Sequence, residues 1–128
     1  MDHTVFFDQL LNTQQRALDA ALLYQVLGRK AEITKDADVF HSVSARALHH
    51  AALLRSMTGE ELRPRKWKSL LIPFLFSALG RKRVIPLLAM GRYLEHQRCE
   101  VLGRRYKILK QICSEEKKLG QNIAALMY

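Results

Sequence analysis

Residues 44–54, SARALHHAALL, decide the fold class of this chain, because apolar side chains recur there at helical spacing around two adjacent histidines. Steps of three and four residues are the repeat of an amphipathic helix. His50 falls on the apolar row, whereas His49 is rotated by about 100° toward its edge. The stretch predicts a helix that buries one histidine and leaves the other near solvent. The whole row comprises Phe40, Val43, Ala47, His50, Ala51, Leu54 and Met57.

Recognisable signals bound this central helix. Thr34 is suited to cap its N-terminus, and Asp36 and Asp38 complement the helix dipole in the first turn. Thr58-Gly59 is typical of a helix end.

A similar row precedes it and predicts a first helix over residues 4–28. The row consists of Phe7, Leu11, Gln14, Leu18, Ala21 and Gln25, widened by Leu10, Ala17 and Tyr24. Gly28, followed by two cations, predicts a left-handed cap at the end of this helix.

The second half of the chain contains three further predicted helices. A polar linker, GEELRPRKWK (59–68), leads into a short apolar helix from Trp67 to Leu79 that contains Pro73. Gly80 and the cluster 81–83 interrupt the pattern before a long helix begins near Val84, with Pro86 in its first turn. This helix carries Leu87, Leu88, Tyr93, Leu94, Val101 and Leu102, and ends or bends at Gly103.

The last helix is predicted within residues 105–127. Its apolar face comprises Ile108, Leu109, Ile112, Leu119, Ile123 and Leu126. Strand-like alternation is absent from the sequence. We therefore expect an all-α fold, an antiparallel four-helix bundle with one short extra helix between the second and third long helices, in a single domain of residues 1–128.

Composition excludes several classes of protein. The longest apolar run without charge, residues 69–80, is shorter than the roughly 20 residues that cross a bilayer. We expect no secretory signal, because the N-terminal stretch lacks a basic region followed by an apolar one. Cys99 and Cys113 show no CxxC spacing, which predicts reduced packing residues and a cytoplasmic location. Phosphate-binding glycine loops and serine-hydrolase motifs are missing.

Several motifs of this chain resemble a known family. They are HHAALL in the second helix, the linker TGEELRPRKWK, the apolar segment ending in LG, and LLAMG in the following helix. Together they are similar to the rubrerythrin-like branch of the ferritin-like superfamily, in the form found alone or fused to membrane domains of the vacuolar iron transporter type. The resemblance covers nearly the whole chain and implies a bundle that holds two iron ions between carboxylates and histidines.

Most of the ligand positions that the resemblance implies are not occupied by ligands here. Alanine or arginine stands at four of them: Ala17, Ala47, Ala89 and Arg92. His50, Glu115 and Glu116 are the remaining candidate ligands. Iron needs carboxylate oxygens to balance its charge, and Arg92 would repel a cation. The guanidinium is instead expected to pair with Glu115 or Glu116.

We therefore expect a metal-free, non-catalytic binding or scaffold module that forms a homodimer. The alternative is a residual rubrerythrin-like oxidoreductase, of ferroxidase or peroxidase type, that binds iron through His50, Glu115 and Glu116. A surface metal patch at His96, with Glu95 and Glu100, is the weaker interpretation of those residues than a solvated cluster.

Charge is concentrated in one part of the chain. Residues 63–110 hold 13 lysines and arginines against two acids, within a formal charge of +9 for the whole chain. Cationic clusters bracket the short apolar helix, with Trp67 at its edge, as in an interfacial anchor. This predicted surface comprises Arg63, Arg65, Lys66, Trp67, Lys68, Arg81, Lys82 and Arg83.

The segment also has purely structural explanations. The apolar helix can pack on the bundle or form a dimer interface, and the cations can form a solvated basic face. An anionic membrane surface or a membrane protein is the alternative partner, and nucleic acid is not favoured, because no reading motif is present.

Overall fold

The computed structural model describes the backbone of residues 2–104 and 106–127, and the side chains of 5–104 and 106–127. Every regular element of this part of the chain is helical, which confirms the all-α prediction. The elements are α1 (Asp2–Lys30), α2 (Thr34–Thr58), α3 (Trp67–Leu79), α4 (Arg81–Gly103) and α5 (Lys107–Ala124), followed by a 3-10 turn at Ala125–Met127. The chain forms two compact units, Met1–Pro73 and Phe74–Tyr128, and the boundary between them falls inside α3.

Unit 1 is a helical hairpin in which α1 packs on α2. The predicted row of α2 is buried, with the exception of Met57, which is half-buried. The Tyr24 ring of α1 lies against Phe40, with ring centroids 5.9 Å apart. The SARALHHAALL stretch thus supplies the centre of one hairpin core.

The predicted orientation of α1 is wrong by about one residue. Phe7 and Gln25 are exposed, whereas Gln14 and Ala21 of the predicted row are buried, as are all three residues that widen it. The core row of α1 comprises Leu10, Ala17, Ala20, Ala21, Tyr24 and Leu27. Alanines in this row face a helix that also buries Ala47 and Ala51, and small side chains on both partners allow the helices to approach closely.

Two predicted caps of unit 1 are also wrong. Helix α1 continues through Gly28 to Lys30, and Gly28 does not have a positive φ. A Cβ at Gly28 would lie 2.6 Å from the His41 ring, so this glycine makes room for a side chain of α2. Ile33, not Thr34, precedes the first turn of α2, and it provides no side-chain cap. Gly59 confirms the predicted end of α2, because its φ of 71° is the left-handed conformation of a C-terminal cap.

Unit 2 is built around a second hairpin, in which α4 packs on α5. Helix α4 begins at Arg81, three residues before the predicted start, because Gly80 adopts a φ of 84° and allows the chain to turn directly into a helix. The cationic cluster 81–83 is therefore the first turn of α4 and not a break. Pro86 consequently lies in the second turn, where its ring leaves the carbonyl of Lys82 without the usual helical donor.

The sequence predicted the buried face of α5 well and that of α4 poorly. On α5, the predicted face is buried apart from Ile108, which is half-buried. On α4, Leu88 and Leu102 are buried, but Leu87, Tyr93, Leu94 and Val101 are exposed. The core row of α4 instead consists of Val84, Ile85, Leu88, Ala89, Glu95, Cys99, Leu102 and Gly103. The last helix begins at Lys107, and Arg105 lies outside the described residues.

Candidate functional site

The histidine pair lies in unit 1 and divides as predicted. His50 is only 1% exposed and belongs to the hairpin core, whereas His49 is exposed. The ring centroids of the two histidines are 6.4 Å apart. Ala47, one turn before His50, and Ala17 on α1 are both buried. The two positions of this hairpin at which the sequence resemblance implies carboxylates are therefore occupied by buried methyl groups.

Unit 2 contains the ion pair that the sequence predicted. Arg92 of α4 donates from Nη1 to Oε2 of Glu116 on α5 over 3.0 Å, and the side chains are 12% and 5% exposed. The acid of this pair is Glu116, and the neighbouring Glu115 is half-buried. Ala89, one turn before Arg92, is also buried.

The two helices of the unit 2 hairpin lie close together where this pair forms. A Cβ built on Gly120 would lie 3.2 Å from the Cβ of Arg92 and 3.4 Å from the carbonyl oxygen of Ala89. Gly120 follows Glu116 by four residues and shares its face of α5. The ion pair therefore lies beside a tight helix–helix contact.

The arrangement does not suit a di-iron centre. Within the described residues, no three His, Cys, Asp or Glu side chains gather closely enough to hold a metal ion. Glu116, one of the three candidate ligands, is neutralised by Arg92. A guanidinium beside a carboxylate opposes cation binding by direct repulsion.

His96 is engaged by protein groups at both ring nitrogens. Nδ1 lies 2.7 Å from the Cys113 carbonyl oxygen, and Nε2 lies 3.0 Å from Oε1 of Glu100. Both partners can accept a hydrogen bond from a ring N–H, so the ring of His96 is oriented by protein groups on both sides. The third residue of the predicted patch, Glu95, is buried and faces Arg98 at 3.8 Å.

The two cysteines are buried thiols on facing helices of unit 2. Cys99 donates to the Leu109 carbonyl oxygen over 3.3 Å. Burial raises the pKa of Cys99 well above its ordinary range, and burial likewise raises the pKa of Cys113. Since the thiolate is the reactive form, these residues are suited to packing and not to nucleophilic chemistry.

The linker between α2 and α3 is held by polar side chains of α1 that sequence reasoning did not identify. Gln14, which is buried, donates to the Glu60 carbonyl oxygen over 2.8 Å and accepts from the Thr58 hydroxyl over 2.6 Å. Gln15 donates to the carbonyl oxygen of Arg63 over 2.7 Å. Gln14 on the predicted apolar row of α1 was the available signal, because a buried amide needs partners.

Asp19 completes this attachment at the start of α3. Its carboxylate accepts from the backbone N–H of Arg65 over 2.6 Å and from the Arg65 guanidinium over 2.8 Å and 2.7 Å. Ser69 then donates to the Lys66 carbonyl oxygen in the first turn of α3. Helix α1 therefore fixes where α3 begins.

Helix α3 presents large apolar side chains to solvent. Leu70 and Phe74 are 74% and 67% exposed, and Trp67 and Leu71 are exposed as well. These four residues stand at positions i, i+3, i+4 and i+7, which places them on one face of the helix. Ser69 and Pro73 are the buried residues of α3. Exposure of such a row is a mark of a binding surface.

The predicted cationic surface around α3 is only partly available. Arg65 is bound to Asp19, and Arg81 donates to the Leu126 carbonyl oxygen over 2.8 Å. The Lys68 ammonium lies 5.3 Å from the centroid of the Trp67 ring, in a cation–π contact. The remaining members, Arg63, Lys66, Lys82 and Arg83, are exposed.

Comparison with models of protein families, with curated proteins and with solved structures finds no match to this chain. The resemblance to rubrerythrin-like proteins therefore stays a prediction from sequence motifs. None of the helices among the described residues has the length and apolar character needed to cross a membrane.

Proposed function

We propose that this protein is a non-catalytic binding module. We infer a ferritin-like bundle fold of the rubrerythrin-like type without a di-iron centre. The two hairpins supply the four long helices that such a bundle requires. The observation that carries the proposal is the buried pair of Arg92 and Glu116. An iron centre in this position would have to displace a guanidinium from its carboxylate and then coexist with that buried positive charge.

The exposed row on α3 supports a binding role. An exposed apolar helix face of this size is typical of a surface that binds a partner. The attachment of the linker by Gln14, Gln15 and Asp19 holds the start of that helix in place. A surface with a fixed position loses less conformational entropy on binding.

Metal analysis of protein purified from iron-supplemented cells tests this function. We expect substoichiometric iron and manganese in the wild type. Stoichiometric metal that is lost in His50→Ala but retained in His49→Ala would overturn the proposal and favour the oxidoreductase alternative. The neighbouring exposed histidine is the matched control, and far-UV circular dichroism verifies that both variants fold.

The homodimer and the cytoplasmic location remain predictions from the sequence. Light scattering coupled to size-exclusion chromatography tests the first, since a monomer at the highest accessible concentration contradicts it.

A further inference from the structure

We propose that α3 docks on an anionic lipid bilayer, lying in the plane of the surface with its apolar row inserted among the lipids. This inference rests on the proposed function as a binding module and names its partner. The main observation behind this proposal is that the exposed apolar face of α3 lies within a strongly cationic segment that contains no acidic residue.

The first observation is the geometry of the row. Trp67, Leu70, Leu71 and Phe74 line one side of α3, while Ser69 and Pro73 face the protein. At 1.5 Å per residue, the 13 residues of α3 extend over about 20 Å. That length falls short of the roughly 30 Å of a hydrocarbon core, so a helix of this kind lies along an interface.

The second observation is charge. No aspartate or glutamate occurs between Glu61 and Glu95, and seven lysines and arginines fall within residues 63–83. Five of them are exposed, namely Arg63, Arg65, Lys66, Lys82 and Arg83, and of these Arg65 is paired with Asp19. Lipid headgroups with negative charge attract cations in such flanks, while long basic side chains let the apolar row reach below the headgroups.

The third observation is the aromatic residue at the start of the helix. Trp67 is more than half exposed, and the Lys68 ammonium lies over its ring. Tryptophan prefers the boundary between headgroups and acyl chains, because one part of the indole is apolar and its N–H needs a polar partner. The pair therefore suits the depth at which an interfacial helix begins.

A second copy of this chain fits the same face less well. A symmetric contact of α3 with α3 would bring identical cationic flanks together, with no acid between Glu61 and Glu95 to compensate them. Nucleic acid would satisfy the cations but would leave four large apolar side chains without a partner. An anionic bilayer satisfies both features at once.

Trp67 provides a direct assay, because it is the single tryptophan of the chain. Full-length protein is titrated with vesicles of phosphatidylcholine and phosphatidylserine, and with vesicles of phosphatidylcholine alone. We expect a blue shift of tryptophan emission and co-flotation with the anionic vesicles only. Brominated acyl chains in those vesicles should quench the emission, which reports insertion. Binding should weaken severalfold when salt rises from about 0.1 M to about 0.5 M.

Two sets of variants separate the apolar and the cationic contributions. Leu70→Ser with Phe74→Ser should weaken binding about tenfold or more, since two exposed apolar side chains no longer enter the lipid. Met90→Ser with Leu94→Ser is the matched control, because these residues of α4 are also exposed and apolar; it should bind as the wild type does. Lys82→Glu with Arg83→Glu should reduce binding to anionic vesicles and leave the helical content unchanged.

Each contrary result identifies what is wrong. Absence of a blue shift, or equal binding to both kinds of vesicle, overturns the membrane partner. A blue shift that depends on protein concentration without lipid, and disappears in the Leu70/Phe74 variant, assigns the face to a second copy. Binding to RNA that the same variant abolishes assigns it to nucleic acid. Failure of any of these kinds leaves the metal analysis, and with it the proposed function, unaffected.

Discussion

Replacing Glu116 by glutamine should destabilise unit 2 far more than the same replacement at Glu61. The partner of Glu116 is Arg92, at 3.0 Å, and the two side chains are 5% and 12% exposed. Glu61 pairs with Arg55, but these side chains are 78% and 58% exposed. The chemical change is identical at the two sites, so the difference between them measures burial.

The magnitude follows from the geometry of the pair. Two unit charges about 4 Å apart interact by about 4 kcal/mol at an effective dielectric constant of about 20. Glutamine keeps one acceptor for the guanidinium but removes the negative charge that Glu116 places beside Arg92, and breaking a buried pair costs about 3–5 kcal/mol. Because Arg92 retains some exposure, we expect a loss of about 2–4 kcal/mol in the free energy of unfolding. The exposed control should lose about 1 kcal/mol or less.

Urea unfolding followed by circular dichroism measures the loss, and hydrogen exchange locates it. Exchange should accelerate in α4 and α5 of Glu116→Gln and stay unchanged in α1 and α2. The double variant Arg92→Met with Glu116→Leu should recover most of the stability, since an apolar pair of similar size avoids the desolvation of two charges. Equal losses for Glu116→Gln and Glu61→Gln would refute the description of Arg92 and Glu116 as a buried ion pair.

Three further predictions concern the cap, the linker and the thiols. Gly59→Ala should lower stability by about 1 kcal/mol in thermal melting, because alanine is strained at a φ of 71°, whereas Gly91→Ala, in open space within α4, should not lower it. Asp19→Asn should accelerate tryptic cleavage in the linker before α3, because the carboxylate holds that segment; an unchanged rate contradicts this. Cys99 and Cys113 should react slowly with a disulfide reagent at neutral pH until the protein is unfolded, since burial raises the pKa of both thiols.

The same thiols predict a dependence of stability on pH with a definite sign. Their folded-state pKa lies above the ordinary value of 9.0, so unfolded chains lose these protons first as pH rises. Their contribution is complete below about pH 9 and declines above it. Wild type should therefore lose stability more steeply at alkaline pH than Cys99→Ala with Cys113→Ala, and parallel curves would contradict this assignment.

Helical periodicity was sufficient to predict much of the fold. Rows of apolar residues at steps of three and four placed α2 and α5, a short apolar segment placed α3, and Gly59 marked the end of α2. The orientation of α1 was harder to predict, since apolar residues occupy several of its sides. Burial there follows the small residues that allow α2 to approach, such as Ala17 and Ala21, and hydrophobicity alone gives these a low rank.

Charge patterning predicted a cationic segment, but it did not predict which of its arginines and lysines bind other groups of the protein. Arg65 and Arg81 belong to the clusters in sequence, yet one binds Asp19 and the other a backbone carbonyl oxygen near the C-terminus. Both partners lie more than 40 residues away along the chain. A local pattern cannot identify such contacts, because they depend on how the chain folds back on itself.

The choice between Glu115 and Glu116 illustrates how one residue decides such a contact. Neighbours on a helix differ by about 100° in direction, so the partner of Arg92 depends on which face of α5 meets α4. Gly120 shares the face of Glu116, four residues earlier, and a Cβ there would lie 3.2 Å from the Cβ of Arg92. A glycine inside a helix, away from any left-handed cap, indicates close backbone contact more often than a helix end. This signal was present in SEEKKLGQNI, and it favours Glu116 as the residue drawn against α4 while Glu115 stays at the edge.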